Sequence, residues 1–589
     1  MAAREEDVTE RGRARRAGAR PAAAPRSSTA WLGTLAFALA AGALYAIRLD
    51  VPAFFDNEGR YADVANEMLL MRDWVTPHID FTLFLNKPPL LYWLTAVAFR
   101  LAGPSEWARI VSVAAAVVAI VATSRLGAVL YDEATGLLGG ALLATTFGFG
   151  LEARVLRPDG ILIATVALAV LCWARAERAD PARRTRWLVG LYAALGTGVL
   201  AKGLPPVIVA GLPIGVAALR AHGWRGVGRL RPGLGLAVAG AIVLPWHVVV
   251  ALRHPGFAWD YVVNQHLLFF LDKKLPRDSE GDTLGFFWFA FAMRSLPWIA
   301  LVPLTAREAV AAMRAPASHV ADGSLLLWTW VIGLLLFFSV TPSRLEHYSL
   351  PALPAVALLA ARGGTRVLRG DVGRPVWLVA ATALAAIGFT GLLFVVLRER
   401  FFAGADWMQD APQLASLIVP AGVVLLLMGA AGTVGAVGRR GGVVLGAVGV
   451  GTAVMLVIVT VAQAGTETTF SWRPMARAIA AQVPPTTSVV FEAPQEYQIV
   501  GGLVFYTGRR ITLLAPPGFV PPTYLATLAS DMFLPRAEFM RRWQAGEPLA
   551  FVSDSQQHRE TPDGLVPPPY HVLAHIGDRW LLTNAPAAD

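Results

Sequence analysis

The chain has 589 residues, of which 55% are hydrophobic and 16% are charged, and its formal net charge is +10. Its hydrophobic runs recur from residue 31 to residue 463, which is more apolar surface than one soluble core can bury; this excludes a soluble globular protein and indicates a polytopic membrane protein. The basic residues lie in the N-terminal tail and in short loops, so we interpret them as orientation signals and not as a nucleic-acid surface.

The N-terminal tail, residues 1–29, is rich in Ala, Arg and Pro and is predicted to be disordered. The first apolar run begins near Trp31 and has no persuasive small-residue cleavage site, so we predict an uncleaved signal-anchor helix. Arginines beside the first span keep that side of the membrane cytoplasmic. The loop that follows the first helix is therefore expected outside.

That first loop concentrates charged residues. It contains residues 56–62 (DNEGRYA) and, after an aromatic and polar run, residues 86–90 (NKPPL). The next apolar piece, 90–101, would form a helix of about 20 Å, which is shorter than the apolar core of a bilayer, about 30 Å thick. We therefore predict an interfacial helix at 90–101, and we consider the loop before it the first candidate for a functional site.

The hydrophobic segments predict thirteen membrane crossings. They fall at 31–48, 107–130, 135–152, 160–176, 187–201, 204–219, 234–252, 284–304, 323–340, 350–361, 375–396, 415–434 and 441–463. With this count every loop cluster of arginines lies inside, whereas a further crossing at 90–101 would move all of them outside. The polar segments that then share the outer face with the first loop are 154–159, Lys202, 253–283 and 341–348.

After residue 463 the composition changes, and residues 464–589 are predicted to form a small soluble α/β domain. Ser471 is predicted to cap a helix that runs to Gln482. The β-rich runs that predict strands are 488–491, 503–506, 510–514, 549–552, 571–576 and 580–583. The odd number of crossings places this domain outside, next to the polar face.

The first-loop motifs resemble those of the family 39 glycosyltransferases. The residues that carry the resemblance are 56–68 (DNEGRYADVANEM), 73–78 (DWVTPH), 86–94 (NKPPLLYWL) and 103–109 (GPSEWAR), with further equivalents at Asp159, 264–266, 297–298 and 344–351. The family consists of integral-membrane enzymes of the GT-C fold, close to bacterial aminoarabinose transferases that modify lipid A and more distantly similar to protein O-mannosyltransferases. The resemblance implies an all-α GT-C domain at 30–463 in the cytoplasmic (inner) membrane, which transfers a sugar from a polyprenyl-phosphate carrier to an acceptor on the outer, periplasmic face.

The chain departs from the family pattern at two positions. When residues 60–62 are matched to the family's DExRY motif, Glu58 takes the place of the glutamate and Asn57 that of the aspartate, so Asp56 stands one place early and either acid could be the essential one. Where the family often has Glu-Lys-Pro-Pro-Leu, this chain has Asn86, which removes a carboxylate. No metal ligand is therefore assigned, and a divalent metal ion is kept only as a possible cofactor.

Sugar transfer from a lipid phosphate builds positive charge on the sugar and negative charge on the departing phosphate, so a site needs both carboxylates and cations. The carboxylate candidates are Asp56, Glu58 and Asp159; the phosphate-binding candidates are Arg60, Lys87, Lys202 and Arg344; and weaker candidates for substrate contact are Tyr61, Asn86, His266, His347 and Tyr348. We hypothesise a one-step inverting displacement, because the resemblance suggests it and no separate nucleophile is evident. The acceptor could be lipid A, another glycan or a protein hydroxyl, and only a hydroxyl acceptor would need a general base.

These residues also have structural interpretations. Asp56 and Glu58 could cap an interfacial helix, Lys87 could anchor at lipid headgroups, and Asp159 could be a helix N-cap. The rival functional class is a transporter or lipid flippase, which would be expected to place ionisable groups near the membrane midplane on broken helices. A membrane scaffold that binds partners through its outer domain would leave the first-loop motif unexplained.

Overall fold

The computed structural model describes residues 28–275, 281–314, 323–398, 412–492, 497–515, 523–525, 533–554 and 561–585. The predicted disordered tail, residues 1–29, lies outside the described residues except for its last two positions, where the first helix begins.

In the described parts of residues 28–463, every secondary-structure element longer than two residues is a helix. The helices are α1 (Ser28–Tyr45), α2 (Asp56–Leu70), α3 (Leu90–Ala102), α4 (Ile110–Leu130), α5 (Glu133–Ala144), α6 (Phe147–Glu152), α7 (Pro158–Arg178), α8 (Pro181–Lys202), α9 (Pro205–His222), α10 (Arg225–Arg229), α11 (Pro232–Arg253), α12 (Phe257–Trp259), α13 (Leu284–Arg294), α14 (Ala306–Arg314), α15 (Gly323–Val340), α16 (Leu353–Arg369), α17 (Arg374–Val396), α18 (Pro412–Val437) and α19 (Gly441–Gln463). A π-helix, Asp260–Leu268, continues α12, and 3₁₀ segments lie at Glu106–Arg109, Trp298–Thr305 and Glu346–Ala352. In the first loop, β1 (His78–Ile79) and β2 (Thr82–Leu83) form an antiparallel pair.

The chain is a multi-pass membrane protein. Within the described residues, eight helices are long and apolar enough to cross a membrane, and nine if Leu284–Arg294 and Trp298–Arg314 form one span bent by 98°. Other predicted spans are short: α5 has 12 residues and α16 has 17. The count of thirteen crossings therefore stays a prediction. The helix predicted at 90–101 is α3, a short apolar helix of 13 residues.

Helix α7 lies at the centre of the bundle. In its most hydrophobic window 89% of the residues are buried, whereas the corresponding value is 17% for α11, α17 and α18. A helix that is apolar on all sides and buried on all sides is a core element. The N-terminus of α7, where Asp159 lies, is thus held by protein on every side.

The C-terminal region contains a six-stranded mixed sheet of order β5-β4-β3-β6-β8-β7. Its strands are β3 (Ser488–Glu492), β4 (Thr512–Leu514), β5 (Phe533–Leu534), β6 (Leu549–Ser553), β7 (His571–Ile576) and β8 (Arg579–Thr583). The helices here are α20 (Glu467–Phe470), α21 (Arg473–Gln482), α22 (Val500–Thr507) and α23 (Arg536–Gln544), with 3₁₀ segments at Ala464–Thr466, Tyr497–Ile499 and Thr523–Leu525. Strands β3, β4, β5 and β6 pair in parallel, while β8 is antiparallel to both of its neighbours.

The predicted strand at 503–506 is wrong, because these residues belong to helix α22. Leu503 and Val504 are buried, and a short apolar run of this kind cannot be assigned to strand or helix from its periodicity alone. Strand β5 and helix α23 were not predicted from the sequence.

Helix α22 packs against α2 through glycines. A Cβ atom built on Gly59 would lie 2.5 Å from the Cα atom of Gly502, and one built on Gly501 would lie 2.8 Å from the Cα atom of Arg60. Such a close backbone approach leaves no room for larger residues. The C-terminal domain therefore contacts the charged first loop directly.

Candidate active site

The first turn of α2 is anchored by a buried ion pair between Glu58 and Arg109. Their side chains are 1% and 2% exposed, and two parallel hydrogen bonds of 2.8 and 2.6 Å join the guanidinium to the carboxylate. The same carboxylate accepts the N–H groups of Leu156 at 2.7 Å and Phe55 at 3.0 Å. Glu58 thus joins α2 to the 3₁₀ segment that precedes α4 and to the segment just before α7, and its oxygens are occupied by these contacts.

Arg109 is also bound to the backbone that leads into α2. Its guanidinium donates to the carbonyl oxygens of Leu49 at 3.0 Å, Pro52 at 2.6 Å and Ala53 at 3.3 Å. Asp56 is the first residue of α2, and its side chain lies outside the described part of the structure. The ion pair therefore sets where the backbone of Asp56 begins its helix.

Asp159 and Lys202 form the second buried pair. Asp159 is in the first turn of α7 and is 2% exposed; Lys202 is the last residue of α8 and is 10% exposed. The Lys202 Nζ atom also lies 5.3 Å from the centroid of the Tyr348 ring, within the range of a cation–π interaction. Helix α8 ends here because Gly203 has a φ of +80°, a conformation that L side chains rarely adopt.

His266, on the π-helix, lies against this turn. Its Nδ1 contacts the carbonyl oxygen of Tyr261 at 2.6 Å, and the N–H of Leu204 points to its Nε2 at 3.3 Å. The ring therefore donates from Nδ1 and accepts at Nε2, which is the neutral tautomer. Burial lowers the pKa of His266 against the opposing hydrogen bond to Tyr261, and the charge of Lys87 in the first loop acts in the same direction as burial.

The 3₁₀ segment that carries Glu346, His347 and Tyr348 completes this end of the bundle. Burial lowers the pKa of His347 to about 4, against the opposing charge of Asp159, so the imidazole is neutral at physiological pH. Burial acts to raise the pKa of Glu346, but His347 and Arg294 outweigh it and hold that pKa below its usual range. Arg294 donates to Glu346 at 2.6 Å.

The Lys202 ammonium joins Asp159 to the Tyr348 ring, the Tyr348 ring contacts His347, and His266 contacts the turn that follows Lys202. We name these five residues, together with Asn86 and Lys87 of the first loop, the Asp159 cluster. Three other predicted residues make different contacts. Arg344 donates to the backbone carbonyls of Asp282 at 2.9 Å and Ser339 at 3.2 Å. The guanidinium carbon of Arg60 lies 5.1 Å from the ring centroid of Tyr61, which is buried. Phosphate binding by Arg60 and Arg344 stays a prediction.

Sequence reasoning assigned no role to several residues that build this region. Arg157, in the turn before Asp159, pairs with Glu152, which is 4% exposed. Arg109 lies just before a long apolar helix, and a charged residue in such a place needs a partner; this signal could have identified it as a structural residue. Gln265 and Tyr524, whose side chains donate hydrogen bonds to Asn86, carry no such signal in the sequence.

A divalent metal ion, kept above as a possible cofactor, would need ligand side chains grouped near the Asp159 cluster. Among the residues that the structure describes, no three His, Cys, Asp or Glu side chains are grouped so as to hold a metal ion. The Asn86 carbonyl oxygen accepts hydrogen bonds from Tyr524 at 2.8 Å and Gln265 at 3.4 Å. A metal cofactor therefore stays an untested prediction, and no step of the chemistry is routed through one.

A separate group of buried acids lies between α2 and the C-terminal domain. Asp63, Glu67 and Asp80 are each at most 1% exposed. The Asp63 carboxylate accepts the backbone N–H of Asp80 at 3.3 Å, and the Asp80 carboxylate accepts the backbone N–H of Ile511 at 2.9 Å. The Glu67 carboxylate accepts the backbone N–H of Phe81 at 2.9 Å. Burial raises the pKa of Asp63 and Asp80 well above the usual range and that of Glu67 to about 7, while the charge of Arg510 opposes the shift at Asp80.

These raised pKa values predict a stability that falls as pH rises. Between the ordinary pKa of 4.5 and the folded value of about 7 for Glu67, the folded protein holds a proton that the unfolded chain has lost. The contribution is therefore present below pH 4.5 and is lost as pH rises through 7, by at most about 1.4 kcal/mol per pH unit for one proton. Glu67→Gln keeps the oxygen that accepts from Phe81 and should flatten the dependence of the melting temperature on pH between about 5 and 8.

Glu538→Gln is the control for this pH experiment, since Glu538 pairs with Arg541 at the surface of the C-terminal domain. Its melting curve should follow that of the parent at every pH. Equal slopes for the parent and Glu67→Gln would show that Glu67 does not titrate in this range.

Comparisons with known proteins identify relatives for much of the chain. Residues 86–248 match the dolichyl-phosphate-mannose-protein mannosyltransferase family. The undecaprenyl phosphate-α-4-amino-4-deoxy-L-arabinose arabinosyl transferase of Enterobacter sp. (strain 638) is 28% identical over 55% of this chain and 58% of its own length. A protein of the same name, with the suffix 1, from Sodalis glossinidius is 31% identical over 58% of this chain and 60% of its own length. The chain thus spans about three fifths of the curated relatives it matches.

The fold is shared with a solved structure over nearly the full chain. The crystal structure of ArnT from Cupriavidus metallidurans bound to undecaprenyl phosphate superposes with a TM-score of 0.75, covering 95% of this chain and 99% of that chain at 23% identity. The apo form gives the same TM-score at 24% identity. The predicted fold class, a GT-C type helical membrane domain with a C-terminal domain built on a β-sheet, is confirmed.

Proposed function

We propose that this protein is a glycosyltransferase that moves a sugar from an undecaprenyl-phosphate-linked donor to an acceptor at the outer face of the cytoplasmic membrane. The observation that carries the proposal is the buried pair of Asp159 and Lys202 in the Asp159 cluster, beside the turn that His266 contacts. The curated relatives named above support a lipid-phosphate sugar as donor.

The cluster offers both kinds of charge that this reaction needs. An acceptor oxygen attacks the anomeric carbon as the bond from that carbon to the phosphate oxygen breaks, and the electron pair leaves with the phosphate. Lys87 and Lys202 would stabilise the departing phosphate, and Asp159 would stabilise the positive charge that develops on the sugar. In a single displacement the anomeric configuration is inverted.

The acid of the first loop that we assign to the reaction is Asp56. The carboxylate of Glu58 is engaged by Arg109, Leu156 and Phe55, so a second task for it would break the contacts that hold α2. Asp56 starts the helix that this ion pair anchors. For a hydroxyl acceptor Asp56 would take up the proton, and for a phosphate acceptor it would contribute charge alone.

Lipid A is the acceptor that we favour, with another glycan or a protein hydroxyl as the other candidates. The N-terminus would lie in the cytoplasm and the C-terminal domain in the periplasm, as the arginine-rich loops indicate. A transporter or flippase is the second candidate function. The charged residues of the Asp159 cluster lie at helix ends and not within apolar spans, which favours the transferase.

The test is a transfer assay with membranes that contain the protein and a radiolabelled undecaprenyl-phosphate sugar. The parent should move label into the lipid A, glycan or protein fraction, and Lys87→Ala should lower the rate about 10-fold to 100-fold through the loss of a charge-assisted hydrogen bond. Lys273→Ala is the matched control, because Lys273 is exposed. A parent without any dependence on the lipid-linked sugar, or a Lys87→Ala variant as active as the parent, would overturn the proposal.

A further inference from the structure

Asn86 lies where three parts of the chain meet: the first loop, the π-helix and the C-terminal domain. Its side chain is 7% exposed. Its carbonyl oxygen accepts from the Tyr524 hydroxyl at 2.8 Å and from the Gln265 amide at 3.4 Å, and its amide donates to the Gln498 side-chain oxygen at 3.3 Å. Both ends of the Asn86 amide are therefore bound by neutral side chains from outside the first loop.

Tyr524 holds two consecutive residues of the first loop through one hydroxyl group. The hydroxyl accepts the N–H of Leu85 at 3.2 Å and donates to Asn86 at 2.8 Å. Tyr524 is 4% exposed and Leu85 is fully buried, so water cannot easily replace these bonds. One residue of the C-terminal domain thus contacts both the backbone of Leu85 and the side chain of Asn86, just before Lys87.

The other side of Lys87 is stiff for a different reason. Pro88 and Pro89 follow it, and each proline ring fixes φ and removes a backbone donor. Helix α3 then begins at Leu90. Lys87 is therefore placed between a rigid diproline and the residues that Tyr524 holds.

We propose that Tyr524 is a positioning residue for donor binding, which orients Lys87 toward the phosphate of the polyprenyl carrier by holding Leu85 and Asn86. The inference rests on the proposed role of Lys87 in phosphate binding. It gives the C-terminal domain a direct part in recognition of the donor, because the hydroxyl that orders the loop comes from a residue 438 positions further along the chain.

Tyr524→Phe removes the hydroxyl and keeps the ring. Binding of undecaprenyl phosphate to the purified full-length protein in detergent should weaken about 5-fold to 10-fold, and in the transfer assay KM for the lipid donor should rise while kcat changes less than about twofold. Tyr570→Phe is the matched control, because its hydroxyl bonds to Asp563 at the surface of the same domain; it should bind undecaprenyl phosphate as the parent does.

The same substitution in a Lys87→Ala background separates positioning from a general structural effect. If Tyr524 acts through Lys87, Tyr524→Phe should weaken undecaprenyl phosphate binding no further in that background. An equal loss in both backgrounds, or parental binding by Tyr524→Phe, would overturn the inference while leaving the proposed function intact. A parent that neither binds undecaprenyl phosphate nor transfers sugar would overturn the proposed function, and the inference with it.

Discussion

Asp56→Asn is expected to lower the rate of sugar transfer by about 10² to 10⁴, the range for loss of a general base or of a charge that stabilises the transition state. The amide has nearly the same shape as the carboxylate, and Asp56 is the first residue of α2, so the folded protein should remain. Initial rates with labelled undecaprenyl-phosphate sugar, divided by the amount of folded protein, measure the effect.

Glu58→Gln is the matched comparison, because Glu58 lies in the same helical turn but is bound to Arg109. This variant should yield less folded protein, since a buried guanidinium loses its counter-charge, but the rate per folded molecule should stay near that of the parent. The assignment of Asp56 fails if the pattern is reversed, with a folded but inactive Glu58→Gln and an active Asp56→Asn.

Arg109→Met is expected to cost about 3 to 5 kcal/mol of folding free energy, the usual penalty when one partner of a buried ion pair is removed. The substitution leaves the carboxylate of Glu58, which is 1% exposed, without its cation. It also removes the donors to the carbonyls of Leu49, Pro52 and Ala53. Unfolding of the detergent-solubilised protein, followed by intrinsic fluorescence, measures the loss.

Arg125→Met is the control for this experiment. Arg125 lies on α4, the helix that follows Arg109, and pairs with Glu133, whose side chain is 50% exposed. The Arg125 side chain is itself 15% exposed, but the half-exposed Glu133 carboxylate keeps its hydration when its partner is removed; loss of this pair should therefore cost much less than loss of the fully buried one. Similar losses for both would show that the Glu58 pair is not a main support of the first loop.

Much of the helical domain could be predicted because a membrane span is recorded locally, as a run of apolar residues long enough to cross the bilayer. Helix α3 and the strand at 488–492 were predicted within a residue or two, since each has its own local pattern. The error at 503–506 has the opposite cause: that run is apolar on all sides, and its helix is stabilised by the glycine contact with α2.

The candidate site could be predicted as a set of residue types but not as a set of contacts. The charged first loop, Asp159, Lys202 and His266 stand out because ionisable groups are rare beside apolar helices. The residues next to a charged side chain in the sequence do not show which groups it contacts in the fold. Glu58 is bound to Arg109, and Arg344 is bound to backbone carbonyl oxygens.

The sequence by itself determined that this is a polytopic membrane protein with a charged first loop, a polar set of helix ends and a C-terminal region that contains β-strands, because hydrophobicity and helix length are properties of short segments. Only the tertiary structure decided that Glu58 is held in a buried ion pair and that Tyr524 reaches Asn86. These contacts join residues 51 and 438 positions apart, and such pairings depend on how the segments pack, which no local pattern of residues records.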